Sequence, residues 1–148
     1  MGRKKKAPPN PAFTRIESWH SNPFVPLFND MLESEIYWKL SPAAKEVYTI
    51  IRMQYRGSEN TVKCPYNTFQ KKYGMRRSTV SRALMELESF GFVRILKGGL
   101  RHLPNEFTFS EDWKTRTIGE AEEIYEEKKR IRKLEKIIRE EHRKENRI

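Results

Sequence analysis

Cysteine is almost absent: Cys64 is the only one in 148 residues. A single thiol excludes an intrachain disulfide and any zinc site built on paired cysteines, and it suits a reducing compartment. Long apolar runs are missing too. No stretch approaches the ~18 consecutive apolar residues of a membrane span, and the opening MGRKKKAPPNPAF has no apolar run to make a secretory signal. There is no lipidation signal and no convincing basic amphipathic helix with bulky apolar residues on one face, so no membrane partner is expected. Constellations that carry chemistry are equally scarce. His20, His102 and His142 have no cysteine or carboxylate at ligand spacing, and no glycine-rich phosphate loop, nucleophile elbow or paired-carboxylate motif occurs. The expectation is a chain with no catalytic residue, cofactor, metal or small-molecule ligand. Cys64, with no activating neighbour, reads as a small buried hydrophobe.

What the sequence does have is positive charge. Lys and Arg number 30 against 20 Asp and Glu, a net +10, while hydrophobic residues make up 36% and charged residues 34%. Such a composition supports one modest core with solvated extensions, and it favours a polyanionic partner, nucleic acid first. Residues 1–22 carry Arg3, Lys4, Lys5, Lys6 and Arg15 against Glu17, among Pro8, Pro9 and Pro11, which predicts a disordered basic arm. Three roles stay open for its lysines: lying along DNA, tethering nonspecifically, or solubilising the end. Trp19 is open between core packing and base stacking. Residues 23–62 hold four basic and five acidic side chains, whereas residues 63–105 hold nine and two, a local +7. That concentration fits either a footprint for phosphates or a solvated surface.

The residues predict elements around this basic stretch. After Pro23 and Pro26 the chain is extended, and a short helix following Asn29 offers Met31, Leu32, Ile36 and Trp38 to a core. Trp113, beside a later element, also reads as core. Ser41 before Pro42 matches an N-cap with proline at the first helical position, and Val47, Tyr48, Ile51 and Tyr55 recur at helical spacing, giving a scaffold helix over 42–56. Residues 57–60 form a turn, and Thr61 to Cys64 has the β-branched content of a short strand.

Residues 66–90, YNTFQKKYGMRRSTVSRALMELESF, decide the functional reading. Tyr66 to Tyr73, with Lys71 and Lys72, suits a two-turn helix. Gly74 supplies the positive φ of a tight interhelical turn, and Met75 plugs the angle. A second helix over 77–90 then buries Val80, Leu84, Leu87 and Phe90, and turns Ser78, Thr79, Ser81 and Arg82 outward. Small hydroxyl side chains allow close approach to bases and phosphates, and arginine can pair bidentately with guanine edges in the major groove. Gly91 ends the helix. The string FVRILKGGLRHLPNEFTFS predicts a β-hairpin with strands near 92–97 and 105–109, burying Phe92, Ile95, Phe107 and Phe109 and leaving Lys97, Arg101 and His102 at its loop. The fold class expected is mainly α with a small β-hairpin, a winged helix-turn-helix over 23–113.

The string GMRRSTVSRALMELESFGFVRI resembles the turn, recognition helix and first wing strand of bacterial winged helix-turn-helix proteins of the GntR-like and MarR-like type. FVPLFNDMLESEIYWKLSPAAKEVYTII resembles the lead-in of winged-helix proteins of plasmids, phages and integrative elements, including N-terminal domains of replication initiators. Together the two cover about residues 24–113. The resemblance implies binding of double-stranded DNA, with Arg76, Arg77, Ser78, Thr79, Ser81 and Arg82 toward the major groove and Lys97 to His102 on an adjacent groove or backbone. It also implies a regulator of transcription or replication on a mobile element, cytoplasmic and nucleoid-associated. The pattern departs from these families after Trp113, where no effector domain or second winged helix follows, so an adaptor-sized binder is expected.

Residues 114–148, with twelve basic and nine acidic side chains, predict a long, mostly exposed helix after Gly119, rich in i to i+4 ion pairs. Ile124, Ile131 and Ile138 recur every seven residues with Leu134 between, which allows a short coiled coil and a homodimer. Glu127 and Glu141 thin that seam, and a solitary charged helix is the other reading. Two further functions stand beside DNA binding. One is a protein adaptor docking through the winged helix and the C-terminal helix, against which the charged recognition helix argues. The other is RNA binding, which the lack of exposed aromatics on a sheet disfavours.

Overall fold

A computed structural model describes residues 25–55, 61–97 and 105–147, the backbone alone at Lys97. The basic arm at 1–22, the turn at 57–60 and the hairpin loop with Arg101 and His102 lie outside the described residues. The chain is mainly helical with a small antiparallel sheet, an α+β arrangement. Helices α1 (Asn29–Glu33), α2 (Glu35–Lys39) and α3 (Pro42–Gln54) are followed by strand β1 (Val62–Lys63) and a π-helical segment at Thr68–Lys72. Then come helix α4 (Arg77–Ser89), strands β2 (Val93–Lys97) and β3 (Glu106–Phe109), a 3-10 turn at Asp112–Lys114 and helix α5 (Ile118–Glu145). Among the described residues no helix is long and apolar enough to cross a membrane.

The single helix expected after Asn29 is two helices, because Ser34 ends one and begins the next. Its hydroxyl donates to the Met31 carbonyl at 2.6 Å and accepts from the Tyr37 amide at 3.3 Å. This local bonding competes with helix continuation and resets the helical phase. Ile36 and Tyr37 therefore turn inward, and Trp38, expected in the core, is 65% exposed with the Lys45 ammonium 4.3 Å above its ring.

Ser41 caps α3 as expected, its hydroxyl accepting from the Ala44 amide at 3.2 Å with Pro42 in the first turn. Val47, Tyr48 and Ile51 of α3 pack with Val80, Leu84 and Leu87 of α4 in the core, all 3% exposed or less. Burying each such side chain contributes about 1.5–3 kcal/mol. A polar clamp fixes the same pair of helices. Glu86 on α4 accepts from the Ser41 amide at 2.6 Å and the Ser41 hydroxyl at 2.7 Å, setting a carboxylate at the positive end of α3.

The hairpin gains a third strand. The order is β1-β3-β2, with Val62 opposite Phe107 and Val93 opposite Phe109, and a bulge between Ile95 and Lys97. Phe92 and Phe107 are buried, while Ile95 and Phe109 are half-buried. Phe92 also stacks on Trp113 with ring centroids 5.9 Å apart, so Trp113 does pack on the core. Cys64 is fully buried, and that burial pushes its thiol up to about 12.

The C-terminal helix begins one residue before Gly119, on a capping box in which the Glu120 amide donates to the Thr117 hydroxyl and the Thr117 amide donates to the Glu120 carboxylate. Ala121 is fully buried, so the first turns belong to the core. From Arg130 onward the helix is exposed.

Candidate nucleic-acid interface

Tyr66 to Lys72 forms the short helix expected there, but its second part is wound as a π-helix. Its end is closed by Gly74 at φ +66°, with the Gly74 amide donating to Gln70 and the Met75 amide to Phe69. The left-handed residue reverses the chain without a Cβ penalty. Met75 is 9% exposed and plugs the corner, as expected, and Arg76 takes up the N-cap position of α4 in extended backbone.

Arginine offers no acceptor, so no side chain caps the first turn of α4. Its leading N–H groups point outward with the positive end of the helix dipole, an arrangement that suits an anion. Around it Lys71, Lys72, Arg76, Arg77, Ser78 and Arg82 are exposed, and Thr79 is half-buried. The Arg77 guanidinium lies 4.7 Å from the centre of the Tyr66 ring, which holds the charge beside the helix start.

The two acids on α4 are both engaged elsewhere. Glu86 faces Ser41, and Glu88 pairs with Lys128 of α5 at 2.9 Å. The N-terminal half of α4 thus presents cations and hydroxyls with its carboxylates turned away. Two hydrogen bonds from Arg116, to the carbonyls of Ser89 at 2.8 Å and Glu88 at 3.3 Å, secure the other end of the helix.

Ser81 departs from the expected arrangement. It is half-buried, and its hydroxyl accepts from Arg132 of α5 at 2.9 Å. Helix α5 runs back along α4, and Met85 and Ser89 of α4 are buried. Between the start of α4, the sheet and the second half of α5 lies an open trench of about 500 Å³, lined among others by Arg77, Ser81, Arg132, Lys136 and Arg139. These three α5 cations were not among the sequence candidates. Their spacing of four and then three residues placed them on one helical face, a signal readable in the sequence but absorbed there into an ion-pair pattern.

Of the hairpin cations, Lys97 is at the end of β2 opposite Glu106, and Arg101 and His102 lie outside the described residues. Among the described residues no cluster of three or more His, Cys, Asp or Glu could hold a metal. No protein-family model, curated protein or solved structure matches this chain.

Proposed function

We propose that the chain is a winged helix-turn-helix protein that binds double-stranded DNA with sequence preference. In this reading the Tyr66–Lys72 segment and α4 form the helix-turn-helix, with Gly74 at the turn, and β2 and β3 form the wing. The observation that carries it is the start of α4: an uncapped helix terminus with Arg76, Arg77, Ser78 and Arg82 exposed, on a helix clamped to the core through Glu86 and Leu84. Arg76 and Arg82 read base edges, the hydroxyls of Ser78 and Thr79 bond bases or phosphates, and Lys71, Lys72, Lys97, Arg101 and His102 contact the backbone. The protein occupies its site in the cytoplasm as a regulator of transcription or replication, on a plasmid, phage or integrative element. Replacing Arg82 with Ala tests the site: binding to the preferred duplex weakens by ~1–3 kcal/mol and discrimination relaxes at the bases it reads. Equal losses on every duplex would instead make Arg82 a phosphate contact.

A second reading, self-association or protein docking through α5, is favoured by one observation. Ile131, Leu134, Ile137 and Ile138 are 47%, 60%, 51% and 51% exposed, an apolar stripe on an otherwise charged helix. Sedimentation of the parent against Ile131→Lys/Ile138→Lys separates dimer from monomer.

A further inference from the structure

Helix α5 carries Arg132, Lys136, Arg139 and Arg143 at spacings of four, three and four residues, which sets them on one face. The bond from Arg132 to Ser81 turns that face toward α4. Arg132, Lys136 and Arg139 there join Arg77 in the trench, and Glu135, which pairs with Arg139 at 3.9 Å, is the one acid in the lining among the described residues. Four cations less one carboxylate leave the trench at +3. A second feature is independent of charge. Asn105 also lines the trench, is 3% exposed, and its side-chain amide nitrogen has no hydrogen-bond partner among the described residues. A buried donor without an acceptor is rare in folded proteins and suits a ligand oxygen at this point of the lining. The open shape suits a stretch of charged backbone, and the trench begins beside the uncapped turn of α4.

We propose that this trench holds phosphate groups of the DNA backbone, making α5 a third DNA-contacting element beside α4 and the β2–β3 loop. The proposal rests on the DNA-binding reading above and adds to it the residues Arg77, Arg132, Lys136 and Arg139 as phosphate ligands, with Asn105 as an auxiliary donor.

The test is Arg132→Ala/Lys136→Ala/Arg139→Ala in the full chain, all three positions being exposed, with far-UV circular dichroism to verify that the fold is kept. Fluorescence anisotropy measures binding to the preferred duplex and a scrambled one between 50 and 300 mM KCl. Each lost phosphate contact lowers affinity about fivefold at 150 mM salt, so with two of the three side chains on phosphates both duplexes bind about 25-fold more weakly, with a salt slope shallower by about 2. Unchanged affinity and slope would overturn the proposal, and so would tighter binding, which would make α5 a cover over α4. Calorimetry with inorganic pyrophosphate separates the two sources of phosphate. Pyrophosphate binding that is lost in the triple variant while duplex binding is untouched assigns the trench to a free phosphoanion and removes the DNA backbone from it. A parent that binds no duplex defeats the DNA-binding reading and, with it, the backbone assignment. Pyrophosphate binding then decides whether the trench takes phosphate at all.

Discussion

Two glycines with the same backbone handedness and different surroundings let backbone strain be separated from packing. Gly74 has φ +66°, and a Cβ built there meets nothing within 4 Å. Gly91 has φ +85°, and its Cβ would fall 2.6 Å from the Trp113 amide nitrogen and 2.9 Å from the Asp112 carbonyl carbon. In Gly74→Ala the left-handed conformation costs about 1–2 kcal/mol, offset in part by the lower entropy of the unfolded chain. The net loss is about 1 kcal/mol. Gly91→Ala meets the same strain and a collision with backbone that cannot rotate away. Relief requires moving the 3-10 turn, which strains the Trp113 amide bond to the Gly91 carbonyl at 3.2 Å and the Phe92–Trp113 stack. Overpacking of this kind costs about 1–3 kcal/mol, and loss of a hydrogen bond about 1 more. Gly91→Ala therefore loses roughly 3–5 kcal/mol in all, 2–4 more than Gly74→Ala. Urea denaturation followed by circular dichroism measures both, with a constant m-value as the check on two-state behaviour. At about 2–4 °C per kcal/mol for a chain of this length, the melting temperatures differ by about 4–16 °C. Equal losses at the two positions would refute the packing argument.

Other substitutions probe the clamp, the thiol and the hairpin exit. Glu86→Ala strips Ser41 of two acceptor contacts and is expected to cost about 2 kcal/mol in a urea titration, with Glu86→Gln losing less because its carbonyl still accepts. Because burial raises the Cys64 thiol from 9.0 to about 12, its thiolate fraction falls about a thousandfold, and a disulfide reagent at pH 8 modifies it only as fast as the chain unfolds. Rapid labelling of the native chain would contradict its burial. At Asp112 burial acts to raise the carboxyl, but hydrogen bonds from Ser110 and Arg94 and the charges of Arg94 and Arg116 outweigh it and hold the group below its ordinary 3.8. A depressed carboxyl contributes stability that is present above 3.8 and lost as pH falls through the lower folded value. The stability gap between parent and Asp112→Asn is therefore expected at neutral pH and closes in strong acid. A gap that persists there would assign the effect to something other than charge.

Much of the fold was legible because local chemistry and global packing agree at particular residues. Ser41 with Pro42, Gly74, Gly91 and the apolar spacing of Val80, Leu84 and Leu87 each have one physical consequence, and the structure shows it. Trp38 faces solvent because the Ser34 hydroxyl bonds both neighbouring turns and restarts the helix, so that Ile36 and Tyr37 of the short second helix take the buried face instead. The partnership of β1 with β3 is a long-range choice that a two-residue strand does not announce. The seating of α5 on α4 was hidden for a different reason. Its contacts run through Ala121, Lys128 and Arg132, residues whose charge and size read as solvent-facing, and the partners that hold them, Glu88 and Ser81, lie 40 and 51 positions away. Periodicity picks out apolar seams, and this seam is largely polar. The exposed cations of α4 were found from sequence because they cluster, whereas the trench cations of α5 are interleaved with isoleucines and glutamates and read as parts of a heptad and an ion-pair pattern.

Selection of bound fragments from a random duplex library by the purified chain at ~150 mM salt tests DNA reading most directly, because nonspecific phosphate binding is already weakened there. Specific recognition through α4 yields an enriched motif that is lost or relaxed when Arg76 or Arg82 is replaced by Ala. A library that emerges without enrichment, or a motif indifferent to both substitutions, would contradict it.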